Sequence, residues 1–372
     1  MQIPTQATQP LAVRGATGRS VAPVFVLGCP RSGTTLLYDM LLSSGGFAVY
    51  LAESNVFNVL ATRFGDLRSR QRRERLLRVW KQTKLFRATG LECRSIEARI
   101  LDGCRNTGDF LRIVMQEIAR QQGMHRWAEN SPESILHLHD IKRSLPDALI
   151  IHIIRDGRDV AMSLERLRYV RPFPCQQRQS LFSAGAYWEW IVEKGRAFGK
   201  SLGNDYIEVH FEDLLTSPQK TLHRIGAFIE HDLDYERIQR VAYGSVNRPN
   251  TSFSSEHASG RFTPVGRWKR GIKSEHLTKL ESIIGQTLTQ TGYPLSSEST
   301  GTSDTSARAR KQLYRAYFES KCWFKLNSIV RAIRPVLTAA EIDATVLAED
   351  HAPDILPLVA EGAMSHKNWR VE

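Results

Sequence analysis

The sequence predicts an α/β protein: a three-layer α/β/α sandwich with a mostly parallel central sheet built around a phosphate-binding loop, followed by a helical C-terminal extension. Three observations carry that expectation. A β-branched and aromatic run, Val24-Phe25-Val26-Leu27, stops at Gly28 and gives way to a glycine-rich turn and an apolar helical pattern. A near-continuous apolar run, ALIIHIIR at Ala148–Arg155, reads as a strand buried on both faces, as parallel sheets require. Strands and helical segments alternate along the chain, the order that builds right-handed βαβ units with helices on both sides of a sheet.

Taken in order, TTLLYDMLLSS from Thr34 has apolar residues at helical spacing and ends at Gly45-Gly46. A second short strand is expected at Phe47–Leu51. From Asn55 to about Gln122 the pattern is helical. Within it an arginine-rich stretch from Arg63 to Arg87 interleaves with Leu76, Leu77, Trp80 and Leu85 and reads as a solvated helix face with an apolar underside. His125–Glu129 is the next short strand, Pro132 opens a helix through Leu145, and the buried strand follows. Helices are expected at Asp159–Leu167 and Phe182–Ser201, a strand at Tyr206–Phe211, and a helix from Pro218 to Glu230. Ser245–Gly271, rich in Ser, Gly, Pro and Arg, reads as a long surface or binding loop.

The main domain is therefore expected over residues 23–295. Residues 1–22 are polar, have no apolar core of signal-peptide length, and read as a frayed tail. SSESTGTSDTS at Ser296–Ser306 marks a polar linker, set at residues 296–307, and residues 308–372 form the helical extension. Arg308–Arg334 is basic and carries Tyr314, Tyr317, Phe318, Trp323, Phe324 and Leu326; such a helix either makes a peripheral contact with a membrane surface or docks on its own domain or a partner.

Of the 372 residues, 41% are apolar and 24% charged, the usage of a folded globular chain, and no stretch reaches the ~20 apolar residues of a membrane span. Lys plus Arg outnumber Asp plus Glu by 51 to 39, a net charge of +12 that favours anionic partners. The 5 cysteines are odd in number, widely spaced and without a CxxC pair. This argues against a disulfide scaffold or a zinc site and for a reducing, cytoplasmic setting.

Gly28 to Thr35 reads GCPRSGTT. Between a strand and the start of a helix, such a loop turns backbone N–H groups on an anion. Against the triphosphate-binding pattern GxxxxGK followed by Ser or Thr, Gly28, Gly33 and Thr35 match, but Thr34 stands where the lysine belongs and the positive charge has moved to Arg31. That lysine reaches the β- and γ-phosphates of a triphosphate, beside a magnesium ion held by an acidic residue. No hydrophobic strand here ends in a DD or DE pair. A less charged phosphoric anhydride, handled without metal, fits better than ATP.

PRSGTTLL at Pro30–Leu37 resembles the 5′-phosphosulfate loop of the sulfotransferases that use 3′-phosphoadenosine-5′-phosphosulfate (PAPS). IIRDGRDVAMSL at Ile153–Leu164 is similar to that family's second element, a strand followed by Arg and a Ser about eight residues on. GRFTPVGRWKRGI at Gly260–Ile272 is similar to the C-terminal loop that closes over the donor, and VHFEDLL at Val209–Leu215 to a recurrent strand-to-helix turn. The resemblance covers about Pro23–Pro294. It implies a P-loop fold and PAPS as donor, with Pro30, Arg31, Ser32, Gly33, Thr34 and Thr35 around the 5′-phosphosulfate. Arg155 and Ser163 would hold the 3′-phosphate, and Gly266, Arg267 and Trp268 would lie in the closing loop.

Sulfuryl transfer asks the protein for positioning and for charge stabilisation of the leaving phosphate, which fall to Arg31 and the loop amides. A hydroxyl or amine acceptor must also lose a proton to a general base. Several members with this type of loop use a glutamate from the region after the second strand, and the resemblance gives that role to Glu53, with Glu129 in reserve. This chain departs from the pattern at WAENSP, Trp127–Pro132. Many relatives have a lysine there, and one branch a Lys-Thr-His-Leu-Pro run; here Asn130 stands in that place, so no histidine base of that type is expected. The plain alternatives are Arg155 paired with Asp156 or Asp159, and Glu53 as a capping carboxylate before Ser54. For the whole chain they are a P-loop kinase or a non-catalytic nucleotide-binding or membrane-surface protein. Nucleic acid is not expected as a partner, since only net charge and arginine density speak for it. The acceptor stays open among carbohydrate, peptide tyrosine, lipid and small metabolite.

Overall fold

The computed structural model describes residues 18–171, 173, 180–247, 263–296, 305–326 and 338–347. Four strands, β1 (Val24–Gly28), β2 (Ala128–Glu129), β3 (Leu149–Ile154) and β4 (Tyr206–His210), pair in the order β2-β1-β3-β4 with every pair parallel. β1 runs beside β3 from Val24↔Leu149 to Gly28↔Ile153. Because side chains alternate along a strand, this register sends Val24, Val26, Leu149, Ile151 and Ile153 into one apolar cluster and Phe25, Leu27, Ile150 and Ile154 into another. The four isoleucines of β3 are at most 1% exposed; burying each contributes about 1.5–3 kcal/mol. The apolar run was legible as a strand for this reason.

Among the described residues, α-helices run between the strands and directly after β4: α1 (Thr34–Ser43), α2 (Ala61–Phe64), α3 (Arg70–Trp80), α4 (Lys84–Ala88), α5 (Cys93–Gly103), α6 (Thr107–Gln121), α7 (Leu138–Ser144), α8 (Gly157–Arg166), α9 (Ser180–Gly199), α10 (Phe211–Thr216), α11 (Pro218–Ile229) and α12 (Tyr235–Val241). Apolar residues of α1, α11 and α12 cover the first sheet face, and those of α3, α6, α8 and α9 the second. The result is the expected three layers. Helix α3 buries Leu76, Leu77 and Trp80 and leaves most of its arginines in solvent, the solvated face read from the sequence.

Phe47–Leu51 does not form the expected strand. Phe47 makes a single parallel bridge to Arg126, and the Ala48 N–H reaches the Arg126 carbonyl at 2.7 Å. The side chain of Gln122 then takes both backbone groups of Val49, accepting from its N–H at 2.7 Å and donating to its carbonyl at 3.0 Å. An amide side chain thus replaces the next ladder rung and ends the pairing. The Pro132 helix also opens differently, as a tight 3₁₀ segment at Pro132–His137 before α7.

After α12 come helices at Trp268–Gly271 and Ser274–Gln290, then a long C-terminal helix, Thr305–Leu326, and one at Ala339–Leu347. The long helix begins inside the stretch expected as linker and lies on α9. Tyr314 and Phe318 are buried there, and Lys311–Glu189, Arg315–Glu193 and Lys194–Glu319 pair at 2.8 Å each. Of its two expected settings, docking on its own domain is the one these residues adopt, while Leu313, Trp323 and Phe324 face outward. Among the described residues no helix is long and apolar enough to cross a membrane, none of the cysteines is bridged, and no metal-binding cluster occurs. Residues 1–17 of the expected tail, 248–262 of the expected loop, 297–304 of the linker, and 327–337 and 348–372 of the extension lie outside the described residues.

His152 is the one polar side chain of β3. It is fully buried, with Nδ1 2.6 Å from the Tyr206 hydroxyl, and burial, helped by Arg196, lowers its pKa to about 3. In the unfolded chain a histidine titrates near 6.5. Below that pH the unfolded state binds a proton that the fold refuses, so this group costs ~1.4 kcal/mol of stability per pH unit on the acid side and nothing above pH 7. The Tm of His152→Met is expected to fall less between pH 7 and pH 5 than that of the parent. Equal falls would show that the acid sensitivity lies elsewhere.

Candidate active site

The phosphate loop occupies the gap between the carboxyl end of β1 and α1. Gly33 caps α1 in the left-handed region at φ 95°, and a Cβ there would lie 2.2 Å from the Phe211 ring, so only glycine fits. Arg31 also takes positive φ, 72°, a conformation that a non-glycine residue holds at some strain and that is concentrated at ligand sites. No side chain caps α1 and its first turn has no carboxylate, so its leading N–H groups are left facing the loop. Pro30, Ser32 and Thr34 are buried, Gly33 and Arg31 half-buried, and Thr35 exposed.

Four separate stretches of sequence meet at this loop. The Arg31 Nε donates to Ser163 Oγ at 3.2 Å, leaving the serine's own O–H to donate elsewhere. From the end of β3, Arg155 donates through Nη1 to the Arg31 carbonyl at 3.1 Å and through Nη2 to the Pro264 carbonyl at 2.6 Å. Its guanidinium lies 4.5 Å over the Phe211 ring, and its nearest carboxylate, Asp159, stands back at 3.9 Å. Burial pulls the Arg155 pKa below the usual guanidinium value, opposed by Asp159 and Glu212. Among the described residues, Arg155 Nε and Ser32 Oγ in this small region are buried without a hydrogen-bond partner. Such atoms are costly unless something satisfies them.

The Gly266–Trp268 segment is fixed by α8. Asp159 accepts the Gly266 N–H at 2.9 Å and the Trp268 N–H at 2.8 Å, and Asp156 accepts the Trp268 indole N–H at 3.0 Å. Arg158 lies 3.8 Å over the Trp268 ring, with Asp156 and Glu281 both at 2.7 Å. The amides of Gly266 and Trp268 are therefore committed to structure, and what these residues supply is the position of Arg267 between them. Burial pushes the Asp159 carboxyl up, with Arg155 and the two N–H groups opposing.

The candidate bases lie one strand over, at the end of β2. Ser54 Oγ donates to Glu129 at 2.6 Å, the Asn55 N–H donates to Ser131 Oγ at 3.0 Å, and Ser131 Oγ donates to the same oxygen of Glu129. These bonds stitch the segment carrying Glu53 to the carboxyl edge of the sheet, the edge on which the loop sits. Glu53 is half-buried, whereas Glu129 is enclosed and its carboxyl is pushed up by burial, with Ser131 and Ser54 opposing. Asn130 is buried with its Oδ1 unpartnered.

Arg31, Arg155, Ser163 and the Gly266–Trp268 segment are thus brought together, while the segment carrying Glu53 is tied through Ser54 and Asn55 to Glu129 and Ser131 at the end of β2, the strand next to β1. The sequence reading missed the roles of Asp156, Asp159, Arg158, Glu281 and Phe211. Asp156 and Asp159 stand at the N-cap and the first turn of α8. That spacing after a strand is a helix-start signal and could have marked both as ordering residues rather than only as partners for Arg155. Nothing in the sequence joins Phe211 to Gly33.

A family model described as "Sulfotransferase family" matches residues 23–235, more than half of the chain. A curated relative, mouse Sulfotransferase 1B1, is 27% identical over 101 residues, which is 25% of this chain and 34% of that protein, so the match spans about a third of the relative's length. Among solved structures, the sulfotransferase domain from the curacin biosynthetic pathway is similar at TM-score 0.44 and 15% identity, over 74% of this chain and 98% of that one. Retinol dehydratase, solved with androsterone and the inactive cofactor PAP, is similar at TM-score 0.38 and 17% identity, over 74% and 83%.

Proposed function

The chain belongs to the sulfotransferase family, and on that premise we propose that it moves a sulfo group from PAPS to a hydroxyl or amine of an acceptor, with Glu53 as the general base. The observation that carries the donor reading is the meeting of Arg31, Arg155 and Ser163 at the uncapped start of α1, with two buried polar atoms, Ser32 Oγ and Arg155 Nε, lacking partners. Such a cradle suits an anionic ligand that accepts from both donors.

PAPS supplies an activated sulfo group on a 5′-phosphate. The loop residues Pro30–Thr35 and the α1 amides would hold the 5′ end, and Arg155 and Ser163 the 3′-phosphate, with Gly266–Trp268 closing over it. Arg31 lies between the two ends and stabilises charge on the leaving phosphate, the task left by Asn130 in place of a lysine. Glu53 takes the proton of the acceptor as its oxygen or nitrogen bonds to sulfur and the sulfur–phosphate oxygen bond breaks. Glu53 is preferred over Glu129 because Glu129 is 2% exposed with one oxygen taken by two serines, whereas Glu53 is half-buried. No metal is required by this assignment. The cysteine pattern is compatible with a reducing, cytoplasmic setting, which the proposal adopts, and the outward Leu313, Trp323 and Phe324 leave peripheral membrane contact as a further part of it.

The test is a thermal shift on the full chain. PAP (3′-phosphoadenosine-5′-phosphate) with EDTA is expected to stabilise it, by about 2.7 kcal/mol at a hundredfold excess over Kd, while ATP with magnesium does little. The reverse preference would favour the kinase reading and sink this one.

A further inference from the structure

A cavity of ≈ 300 Å³ lies between α9 and the C-terminal helix Thr305–Leu326, lined by Glu133, Tyr187, Trp190, Phe318, Lys321 and Lys325 among others. Its position relative to the donor loop follows from Glu133. That residue sits in the Pro132–His137 turn, which packs against both β1 and α9, at the carboxyl edge of the sheet. Asn58, another lining residue, donates through Nδ2 to Asn55 Oδ1 at 2.7 Å, and Asn55 lies two residues from Glu53 on the segment tied to Glu129 and Ser131. The Tyr187 hydroxyl donates to Glu133 and fixes it there.

We propose that this cavity is the acceptor pocket, and that the C-terminal helix, which lies outside residues 23–235 of the family match, selects a small aromatic acceptor bearing a carboxylate. The inference rests on the sulfotransferase reading above. Three properties of the cavity lead to that chemistry. Its volume is at the small end for ligand pockets and admits one substituted ring, not an oligosaccharide or a folded peptide. Tyr169, Tyr187, Trp190, Tyr317 and Phe318 line it, with Tyr187 and Trp190 packed on Phe318 at 5.3 and 5.5 Å as one aromatic wall. A flat acceptor stacks on such a wall. The rim is cationic: Lys321, Lys325 and Arg171 border the opening, and among the described residues none of them makes an ion pair.

The helix is a fixed wall rather than a loose tail. Its buried Tyr314 and Phe318, the three ion pairs to α9, and the Trp190 indole donating to Glu319 at 2.9 Å hold the cationic turn over the opening. An acceptor carboxylate placed at Lys321 and Lys325 leaves the opposite end of the ring, with its hydroxyl, directed inward toward Glu133 and Asn58, the side of the cavity from which the Glu53 segment is reached.

The experiment uses two probes that differ in charge alone, 3-(4-hydroxyphenyl)propionate and its primary amide. Each is titrated calorimetrically into the full chain saturated with PAP, for the parent and for the double variant Lys321→Gln, Lys325→Gln, whose side chains are exposed. The acid is expected to bind the parent at least tenfold more tightly than the amide, and the double variant is expected to lose that preference while PAP affinity stays the same. An acid that binds no better than the amide, or a preference that survives the double variant, overturns the proposal. Repeating the titrations without PAP separates the two readings: a charge preference that persists in a protein showing no PAP binding overturns the donor assignment and supports the cavity's selectivity.

Discussion

Gly33→Ala is expected to weaken PAP binding by at least about 100-fold, the scale on which a misplacement of an ångström is felt at a reacting site. Two effects combine. The backbone at φ 95° admits a Cβ only with strain, which costs about 1–3 kcal/mol, and the methyl would meet the Phe211 ring at 2.2 Å. Relief of the clash moves either the loop or Phe211, and Phe211 carries the Arg155 guanidinium on its face. A second change, Phe211→Ala in the same chain, therefore restores part of the lost Tm and none of the donor affinity. Calorimetry of PAP binding beside thermal unfolding checks this. Full recovery of affinity in the double variant would mean that Phe211 only fills space.

Glu53→Gln is expected to lower the rate of sulfo transfer by about 10²- to 10⁴-fold, the usual worth of a positioned general base, while PAP affinity remains that of the parent. The side chain is half-buried and keeps its shape as an amide, so folding is spared and the loss falls on kcat. Glu129→Gln separates the two carboxylates. Burial holds the Glu129 carboxyl above its ordinary range. A carboxyl of that kind subtracts stability as pH rises from the unfolded value, near 4.3, through its raised folded value, and the penalty is constant above it. Glu129→Gln is thus expected to raise Tm more at pH 8 than at pH 4, with little effect on rate. If instead the rate collapses in Glu129→Gln and survives in Glu53→Gln, the base is Glu129.

The parts of this molecule that were legible in the sequence are those whose physics is local. Val24–Leu27 and Ala148–Arg155 are strands because burial on both faces demands apolar residues at every position, and the loop between β1 and α1 needs its glycines in fixed order. The strand expected at Phe47–Leu51 failed because what ended it was distant: Gln122, at the end of α6, offers its amide to Val49. The C-terminal helix was ambiguous for a related reason. Its basic and aromatic residues suit a lipid surface equally well, and only the carboxylates Glu189 and Glu193 on α9 decide that Lys311 and Arg315 turn inward. At the site, Arg31, Arg155 and Ser163 could be named from short motifs, whereas the ordering of Gly266 and Trp268 by Asp159 joins residues more than a hundred positions apart. The cavity beside Glu133 joins even more distant segments and has no sequence signal.

On the proposed donor assignment, a nucleotide with a phosphate at the 3′ position is held between the Arg31 loop and the end of β3. Calorimetric titration of PAP and of AMP into the metal-free chain, with the parent and Ser163→Ala, tests it most directly. PAP is expected to bind at least about 100-fold more tightly than AMP, since a phosphate held by charge-assisted hydrogen bonds is worth well above 2 kcal/mol, and Ser163→Ala is expected to narrow the gap by weakening PAP alone. Equal affinity for the two nucleotides, or a gap that Ser163→Ala leaves untouched, would contradict it.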